Sequence, residues 1–370
     1  METLVTFTEL QQYYQGKKVF ITGHTGFKGA WMMACLHLAG ATLKGYALPP
    51  EYEEGLFNTL GSLPGTSSVL ADIRDRERLK KELLDFQPDF VFHLAAQPLV
   101  RRSYEIPAET FDVNVTGTAN LLEAVVALEK PCATVVITTD KVYENRETGA
   151  LYRETDPLGG HDPYSASKAC TELVISSFRN SFFQRSSHSH APGSTNGAPS
   201  AKGLASVRAG NVIGGGDWSR DRIIPDIVRA LQDNQPVEVR NPASVRPWQH
   251  VLEPVGGYLR LGGLLYETPA RYARAYNFGP RPEGHLPVRQ LVETAIAAWG
   301  QGAWLDRSSA NAPHEAGLLH LDISLVAQDL HWIPRLDARE AIHQTLAWYR
   351  QPKAQRADFT FQQIKSYFSA

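Results

Sequence analysis

Residues 18–29 read KVFITGHTGFKG, and this stretch decides the fold. KVFIT is a short, largely apolar strand that runs into a turn with glycines at Gly23, Gly26 and Gly29. In a strand-to-helix turn of this spacing, the first glycine permits the tight turn and the second lets the backbone approach a pyrophosphate, while the third lets the helix pack on the strand. The start of the helix also favours anions. We therefore predict a dinucleotide-binding unit here.

Strands and helices alternate through the first half of the chain. The pattern predicts helices at 27–39, 74–86, 110–128 and 164–183, with strands between them at 42–48, 67–72, 88–93 and 133–141. This alternation is typical of βαβ units, so we predict an α/β protein with a doubly wound parallel sheet.

The length of 370 residues exceeds what one hydrophobic core usually supports, so two lobes are expected. We expect residues 1–210 to form mainly the dinucleotide-binding domain. Residues 211–370 are expected to form mainly a second, smaller lobe, with some segments returning to the first domain. The Ser-, Gly- and Pro-rich stretch 186–203 interrupts the pattern and predicts a flexible surface loop. Its two histidines, His188 and His190, have no third ligand nearby, so no metal is expected.

Composition excludes several classes of function. The formal net charge is −2, which provides no basic field for nucleic acid. No run of 18 or so apolar residues predicts a membrane span, and the N-terminus has no leader pattern. The three cysteines are far apart and predict neither a disulfide framework nor a metal site, which fits a reducing compartment. A cytoplasmic protein is expected.

Side chains near the glycine turn are candidates for holding the dinucleotide. His24 and Lys28 are either two solvated side chains or direct charges on the pyrophosphate. Asp72 either accepts a hydrogen bond from the adenine amino group, which we favour, or caps the following helix. The second strand ends in GYALPP, without the acid that usually binds the ribose 2′-hydroxyl. Because no Arg or Lys follows it to bind a 2′-phosphate, we expect NAD, with weaker ribose anchoring.

Tyr164 and Lys168 are the expected catalytic centre. They lie four residues apart in DPYSASKACTELV, which places both side chains on one face of a helix. An ammonium near a phenol stabilises the phenolate, so the lysine is expected to lower the pKa of the tyrosine. The tyrosine then acts as a base near neutral pH. Combined with a dinucleotide site, this pair suggests hydride chemistry on an alcohol.

Thr139, Asp140 and Lys141 follow the strand ATVVITTDK, where ligands bind in open α/β sheets. The Thr139 hydroxyl is expected to hold the substrate oxygen. A carboxylic acid beside an amine can protonate a leaving hydroxyl and remove a carbon-bound proton, which is what elimination of water requires. The alternative is a surface salt bridge or turn.

A third cluster of candidate residues begins after the next strand. Asn211 precedes a turn with Gly214, Gly215 and Gly216, where backbone is expected to approach a ligand. Between Asp217 and Arg246 arginines suited to bidentate phosphate contacts accumulate, together with tryptophans that can wall a base. This cluster predicts a diphosphate and nucleoside site.

The chain resembles the extended short-chain dehydrogenases/reductases that modify nucleotide sugars. The resemblance is carried by the segments GHTGFKG, HLAAQPLVRRSY, TTDKVYEN, GGHDPYSASKA, RAGNVIGGGDW, RPWQHVLE and NFGP, from about residue 19 to 280. It implies a Rossmann domain with a smaller C-terminal substrate-binding lobe, bound NAD and a homodimer formed through the helix bearing Tyr164 and a neighbouring one. TTDK, RPWQHVLE and GNVIGGGDW are most similar to the branch that dehydrates CDP-glucose.

The resemblance also implies residue roles. Tyr164 would remove the proton of the sugar 4-hydroxyl, Asp140 would protonate the departing 6-hydroxyl, and Lys141 would assist at C5. Lys168 would depress the pKa of the tyrosine and hold the ribose. The implied cofactor contacts are Gly23, His24, Gly26, Phe27, Lys28, Gly29, Asp72, Ile73, Leu94, Ala95, Ala96, Tyr164 and Lys168. The implied substrate contacts are Arg102, Ser103, Asn211, Arg222, Arg246 and His250.

Two alternatives remain open from the sequence. One is a 4,6-dehydratase or an epimerase that acts on another nucleotide sugar. The other is a non-catalytic NAD-binding sensor or scaffold, although such proteins commonly lose the tyrosine or the lysine.

Overall fold

The computed structural model describes residues 4–146, 149–183, 202–281, 284–308 and 319–369. The strands, β1 to β15 in chain order, are Lys18–Thr22, Thr42–Ala47, Thr66–Leu70, Phe90–His93, Cys132–Ile137, Leu151–Tyr152, Lys202–Ala209, Val212–Ile213, Val237–Val239, Val245–Pro247, Gln249–His250, Ala275–Phe278, His285–Pro287, Trp304–Asp306 and His320–Leu321. The α-helices, α1 to α15, are Phe7–Tyr14, Phe27–Leu38, Leu56–Leu60, Arg76–Phe86, Val100–Glu105, Pro107–Phe111, Gly117–Val126, Pro163–Phe178, Ile223–Gln232, Leu252–Glu267, Pro269–Tyr272, Val288–Trp299, Ser324–Leu330, Ala338–Tyr349 and Arg356–Phe368.

A seven-stranded sheet organises the molecule, in the order β12-β7-β5-β4-β1-β2-β3. Every neighbouring pair in it is parallel. The chain therefore builds outward from β1 in one direction, to β3, and then in the other, which confirms the predicted doubly wound α/β fold. All residues of β4 and β5 are buried, because helices cover both faces of such a sheet.

The predicted helices of the first half form with small differences. Helix α8 begins at Pro163, and Asp162 caps it by accepting a hydrogen bond from Ser165 N at 2.9 Å. The segment predicted as one helix at 110–128 is divided, since a π-helical turn at Asp112–Thr116 lies between α6 and α7. Asn114 in this turn is buried against α8, where its Nδ2 donates to Ser167 Oγ.

The second half of the chain contributes to the main sheet. Strand β12 comes after residue 210 and pairs with β7 at the edge of the main sheet. One continuous apolar core joins residues of both halves. Most of the predicted loop at 186–203 lies outside the described residues, but its last two residues, Lys202 and Gly203, are the start of β7 rather than loop.

The turn Gly214–Gly216 packs against residues from both the first and the second half of the chain. A Cβ at Gly214 would lie 3.0 Å from the ring of Phe27, a Cβ at Gly215 would collide with Trp348, and Gly216 has a φ of +80°. The expectation that a ligand approaches this backbone is corrected at Gly215 and Gly216, because the protein's own side chains fill the space. These glycines are required by packing between α2, α3 and α14.

We predict that Gly215→Ala lowers the melting temperature, because overpacking a filled site costs about 1–3 kcal/mol. Gly279→Ala is the matched control, since its Cβ would lie 3.6 Å from the nearest atom, on Ile323, at ordinary contact distance. Thermal unfolding of both variants measures the difference. Equal melting temperatures would contradict the packing role of Gly215.

Candidate active site

Three neighbouring strands deliver the predicted dinucleotide-binding and catalytic segments to one edge of the sheet. The glycine turn follows β1, Leu94–Ala96 follows β4, and Thr138–Lys141 follows β5, and these strands are adjacent in the order β5-β4-β1. The carboxyl ends of parallel strands meet at the same edge, so the three segments lie side by side.

The glycine turn fits a dinucleotide. Gly23 has a φ of +75°, and a Cβ there would lie 2.6 Å from Ala95 N, so the turns after β1 and β4 touch through their backbones. A Cβ at Gly29 would collide with the Gly23 carbonyl oxygen, whereas one at Gly26 would come no closer than 3.4 Å to any atom. Gly26 is the N-cap of α2 and no side chain caps this helix. The first amides of α2 therefore have space for an anion.

His24 differs from both sequence-based alternatives, whereas Lys28 differs only from the solvated one. His24 is fully buried and its Nε2 lies 2.6 Å from Ser68 Oγ, while burial lowers its pKa to about 4. The expected positive charge on the pyrophosphate is therefore wrong for His24, and so is a solvated side chain. Lys28 is half-buried and lines the large cleft described below. Burial, and next the charge of Arg222, lower its pKa to about 7.

Asp72 and Ile73 lie just beyond β3. Asp72 does not cap α4, because Asp75 is the N-cap and accepts from Arg78 N at 3.1 Å. Instead the Asp72 carboxylate binds Arg74 through the backbone N at 2.8 Å and through the guanidinium. Ile73 turns its side chain into the core, where it fills the space above Gly117. Only the backbone of Ile73 is available to a cofactor.

The TTDK segment places an acid and an amine in contact beside the catalytic tyrosine. Asp140 is 1% exposed, and its Oδ1 accepts from Thr139 Oγ1 at 2.9 Å and from Lys141 Nζ at 3.0 Å. The carboxylate is therefore not part of a surface salt bridge. Asp140 also raises, and Thr139 lowers, the pKa of Tyr164, so all three belong to one site.

Burial governs the ionisation of the tyrosine and lysine pair. Tyr164 is 8% exposed, and burial raises its pKa to about 12 despite a hydrogen bond with Thr139. The expected depression of this pKa by Lys168 is therefore wrong for the protein alone. Burial also lowers the pKa of Lys168 to about 8, and its Nζ donates to Ile137 O at 3.1 Å.

A cleft of about 1140 Å³ opens next to Tyr164 and is lined by both halves of the chain. Asn211 lines it with a buried Oδ1 that has no hydrogen-bond partner among the described residues, an acceptor left for a ligand. The cationic residues along the cleft are Lys28, Arg101, Arg102, Lys141, Arg146, Arg220, Arg222, Arg240 and Arg246. Trp248 also lines the cleft, whereas Trp218 packs on Tyr349. This lining suits a phosphate-bearing ligand with an aromatic base.

Two of the predicted substrate contacts do not reach the cleft. Ser103 is fully buried and its Oγ donates to Val100 O at 2.6 Å, within its own helix. His250 is fully buried against Trp31, and burial lowers its pKa to about 3. Both predictions are corrected, because each side chain points from its element into the protein interior. Arg102, Asn211, Arg222 and Arg246 do line the cleft.

A buried carboxylate that the sequence analysis did not single out lies behind the site. Glu172 follows Lys168 by four residues on α8 and forms an ion pair with Arg208 at 3.0 Å, with both side chains 4% exposed. The same four-residue spacing that identifies Tyr164 and Lys168 also reaches Glu172, so the signal was present in the sequence.

Neither a metal cluster nor a membrane helix is found in the described part of the chain. No group of three or more His, Cys, Asp or Glu residues is placed there to hold a metal ion. Within the same ranges no helix combines the length and apolarity needed to cross a bilayer.

The sequence matches known proteins along most of its length. Residues 20–189 match the family model described as GDP-mannose 4,6 dehydratase. A CDP-glucose 4,6-dehydratase of Salmonella typhimurium is 48% identical over 341 residues, which cover 92% of each chain. A dTDP-glucose 4,6-dehydratase of Streptomyces antibioticus is 29% identical over 91% of this chain and 93% of its own.

This chain shares its fold with solved structures of both dehydratases and epimerases. A dTDP-glucose 4,6-dehydratase from Streptomyces venezuelae, solved with NAD bound, superposes with a TM-score of 0.75 at 23% identity, covering 92% of this chain and 99% of that one. An epimerase from Methanothermobacter thermautotrophicus has the same TM-score at 22% identity, covering 97% of both chains. The fold therefore does not separate the two activities, and the site residues must.

We predict that Gly26→Ala folds normally but binds NAD more weakly, because its new methyl group fills the open space at the start of α2. The expected loss is about tenfold in Kd, or about 1.4 kcal/mol. Gly29→Ala is the contrasting variant, since its methyl group collides with the Gly23 carbonyl and should lower the melting temperature. Calorimetric titration with NAD and thermal unfolding measure both. Unchanged NAD affinity in Gly26→Ala would contradict the assignment of this turn.

Proposed function

Because this chain belongs to the nucleotide-sugar 4,6-dehydratases of the extended short-chain dehydrogenase/reductase family, we propose that it is an NAD-dependent hydro-lyase that converts CDP-glucose to CDP-4-keto-6-deoxyglucose. The observation that carries the proposal is the contact between the buried Asp140 and the partly exposed Lys141 beside Tyr164. The 48% identity with a CDP-glucose 4,6-dehydratase supports CDP-glucose over other nucleotide sugars. An epimerase has no step that uses this acid and amine.

Tyr164 is the base that removes the proton of the 4-hydroxyl, and Thr139 holds the same oxygen. Bound NAD supplies the hydride acceptor and donor that oxidation at C4 and reduction at C6 require. Since burial keeps Tyr164 protonated in the protein alone, its ionisation depends on positive charge near the ring. The chain provides Lys168 on the same helix face and Arg222, whose charge lowers the pKa of Tyr164.

Asp140 and Lys141 carry the elimination as a pair. Lys141 Nζ already contacts Asp140 Oδ1 at 3.0 Å, so one proton can pass from the ammonium to the carboxylate. This leaves a neutral amine and a neutral acid. The amine takes the C5 proton, which the C4 ketone has made acidic, while the acid protonates the 6-hydroxyl, and water leaves. The ion pair is then restored without a proton from outside.

The arginines of the cleft are assigned to the substrate diphosphate. Arg222 and Arg246 line the cleft from the second half of the chain, and Arg102 lines it from α5. Guanidinium groups bind phosphate oxygens with two parallel hydrogen bonds. Trp248 provides an aromatic wall for the base, and the Asn211 Oδ1 provides an acceptor.

We place the protein in the cytoplasm as a homodimer. All three cysteines are free thiols, as in reducing compartments. On the surface formed around α8, the side chains of Tyr104, Phe111 and Leu173 are 45%, 36% and 61% exposed. A second copy of the chain covering this surface would bury them. Light scattering after size exclusion measures the mass, and Leu173→Glu should reduce it to that of a monomer if the surface is the interface.

The proposed reaction is tested by incubating the protein with NAD and CDP-glucose and identifying the product by mass spectrometry and NMR. We expect loss of one water and a 4-keto-6-deoxyhexose on CDP. The same assay with dTDP-, UDP- and GDP-linked sugars tests the base. Water loss from one of these and not from CDP-glucose would keep the reaction and overturn the substrate. A C4 epimer without water loss would overturn the reaction.

We predict that Asp140→Asn slows water loss by at least about 100-fold, because an amide cannot deliver the proton to the 6-hydroxyl. An amide also cannot take the ammonium proton of Lys141, so the amine that removes the C5 proton is not formed, and entry of solvent deuterium at C5 should fall together with elimination. Lys141→Met should lose both exchange and elimination. NMR of the recovered nucleotide sugar in deuterated water measures both events. Wild-type product formation by Asp140→Asn would remove this residue from the mechanism.

A further inference from the structure

Glu172 is a buried charge that the proposed reaction does not use directly. Its carboxylate is 4% exposed and accepts three hydrogen bonds. Oε1 accepts from Thr138 Oγ1 at 2.6 Å, and Oε2 accepts from Ser206 Oγ at 2.8 Å and from Arg208 Nη2 at 3.0 Å. A buried carboxylate is stable only when it is paired and hydrogen-bonded in this way. Burial raises the pKa of Glu172, but Arg208 and these hydroxyls together hold it below its ordinary value.

These hydrogen bonds hold the first residue of the TTDK segment. Thr138 immediately precedes Thr139 in the TTDK run, and its hydroxyl is fixed to Glu172 and to Val207 O. Lys168 Nζ donates to the carbonyl of Ile137, the last residue of β5. Two consecutive residues at the end of β5 are therefore tied to two residues one turn apart on α8. These two contacts tie α8 to the segment that carries Thr139, Asp140 and Lys141.

Arg208 extends the same network toward the second half of the chain. Its Nη1 donates to Tyr143 OH at 2.8 Å, and Tyr143 OH donates to Asn277 Oδ1 at 2.6 Å. Asn277 lies on β12 and its Nδ2 donates to the carbonyl of Tyr152 on β6. Polar networks in a low-dielectric interior fix geometry because leaving any member unpaired is costly.

Glu172 also faces Lys168 electrostatically. The two residues are four apart on α8, so their Cβ atoms are about 5–6 Å apart. Burial lowers the pKa of Lys168 to about 8, and the charge of Glu172 opposes this effect. The other titratable groups near Lys168 do not replace Glu172. Tyr164 and the buried His93 are neutral, and Lys28 on α2 carries a like charge below its pKa of about 7 and none above it.

We propose that Glu172 is a positioning residue of the reaction: its carboxylate keeps the Lys168 ammonium charged and fixes α8 against the segment that carries Thr139, Asp140 and Lys141. The proposal rests on the proposed function where it concerns turnover. Without the Glu172 charge, the lysine loses its proton at lower pH, and the phenolate of Tyr164 loses its neighbouring cation.

The test replaces both members of the ion pair, because removing one alone leaves a buried charge and risks unfolding. In Glu172→Gln/Arg208→Gln, the alkaline limb of kcat against pH should move down by about one pH unit, since an opposite charge at this separation shifts a pKa by about 1–3 units. Ser206→Ala is the matched control. It removes one hydrogen bond to Glu172 but keeps the charge, so its melting temperature should fall while the alkaline limb stays in place. An unmoved limb in the double variant would overturn the proposal.

The pH dependence of stability, which can be measured without turnover, tests this proposal separately from the proposed function. The pKa of Lys168 is about 8 in the folded protein and ordinarily 10.5, so between these values the unfolded chain binds more protons and stability rises with pH. The contribution of Lys168 to the free energy of unfolding is the value for the parent protein minus the value for Lys168→Met. Both are measured by unfolding at each pH. In the double variant this rise should begin about one pH unit lower. The same onset in both backgrounds would overturn the proposal, whereas a shifted onset without turnover of CDP-glucose would overturn only the function.

Discussion

Backbone contact between the turns after β1 and β4 is the constraint on which the rest of the site depends. The two strands are neighbours, and a Cβ at Gly23 would lie 2.6 Å from Ala95 N. Gly29 must be equally small, because α2 starts against the Gly23 carbonyl. With this closeness, the open start of α2, the β4 turn and the TTDK segment share one edge of the sheet. Any side chain added there separates the elements that hold the cofactor from those that perform the chemistry.

Burial then determines which groups of the site are charged. His24 loses its charge and Tyr164 keeps its proton, while the pKa values of Lys28 and Lys168 fall toward neutrality. A charge in such surroundings survives only beside an opposite one. Among the described residues, Asp140 beside Lys141 and Glu172 beside Arg208 are two such pairs near the tyrosine. One lies where a sugar can reach it, and the other lies behind the strand.

The fold could be predicted from the sequence because its signals are local. Alternating strand and helix patterns fix the parallel sheet, and the glycine spacing fixes the turn after β1. The catalytic run was found for the same reason, since Tyr164 and Lys168 are close in sequence and TTDK is contiguous. The orientation of a side chain depends on distant partners, and there the predictions failed. Ser103 and His250 lie in matching segments but point into the core, which no local pattern reveals.

The direction of the pKa shift of Tyr164 was predicted wrongly for a related reason. A lysine four residues away predicts a lower pKa for Tyr164. Sequence spacing carries no information about burial, which is the largest effect on this pKa. The same omission hid Glu172, whose partner Thr138 directly follows β5 and whose partners Ser206 and Arg208 lie on β7. Helix spacing placed Glu172 on the face of Lys168, but only the packed structure shows that its charge is retained there by Arg208.

Dehydratases and epimerases share this fold, so the difference in chemistry must lie in few residues. Oxidation at C4 needs a base and a cofactor, which both activities use. Elimination needs in addition an acid over the 6-hydroxyl and a base over C5. In the mechanism we propose, the contiguous Asp140 and Lys141 beyond β5 supply both from one strand end, and their contact lets the proton taken from C5 balance the proton given to the leaving water. The proposal thus places the difference between the two activities in one partly buried pair, without any change of the surrounding sheet.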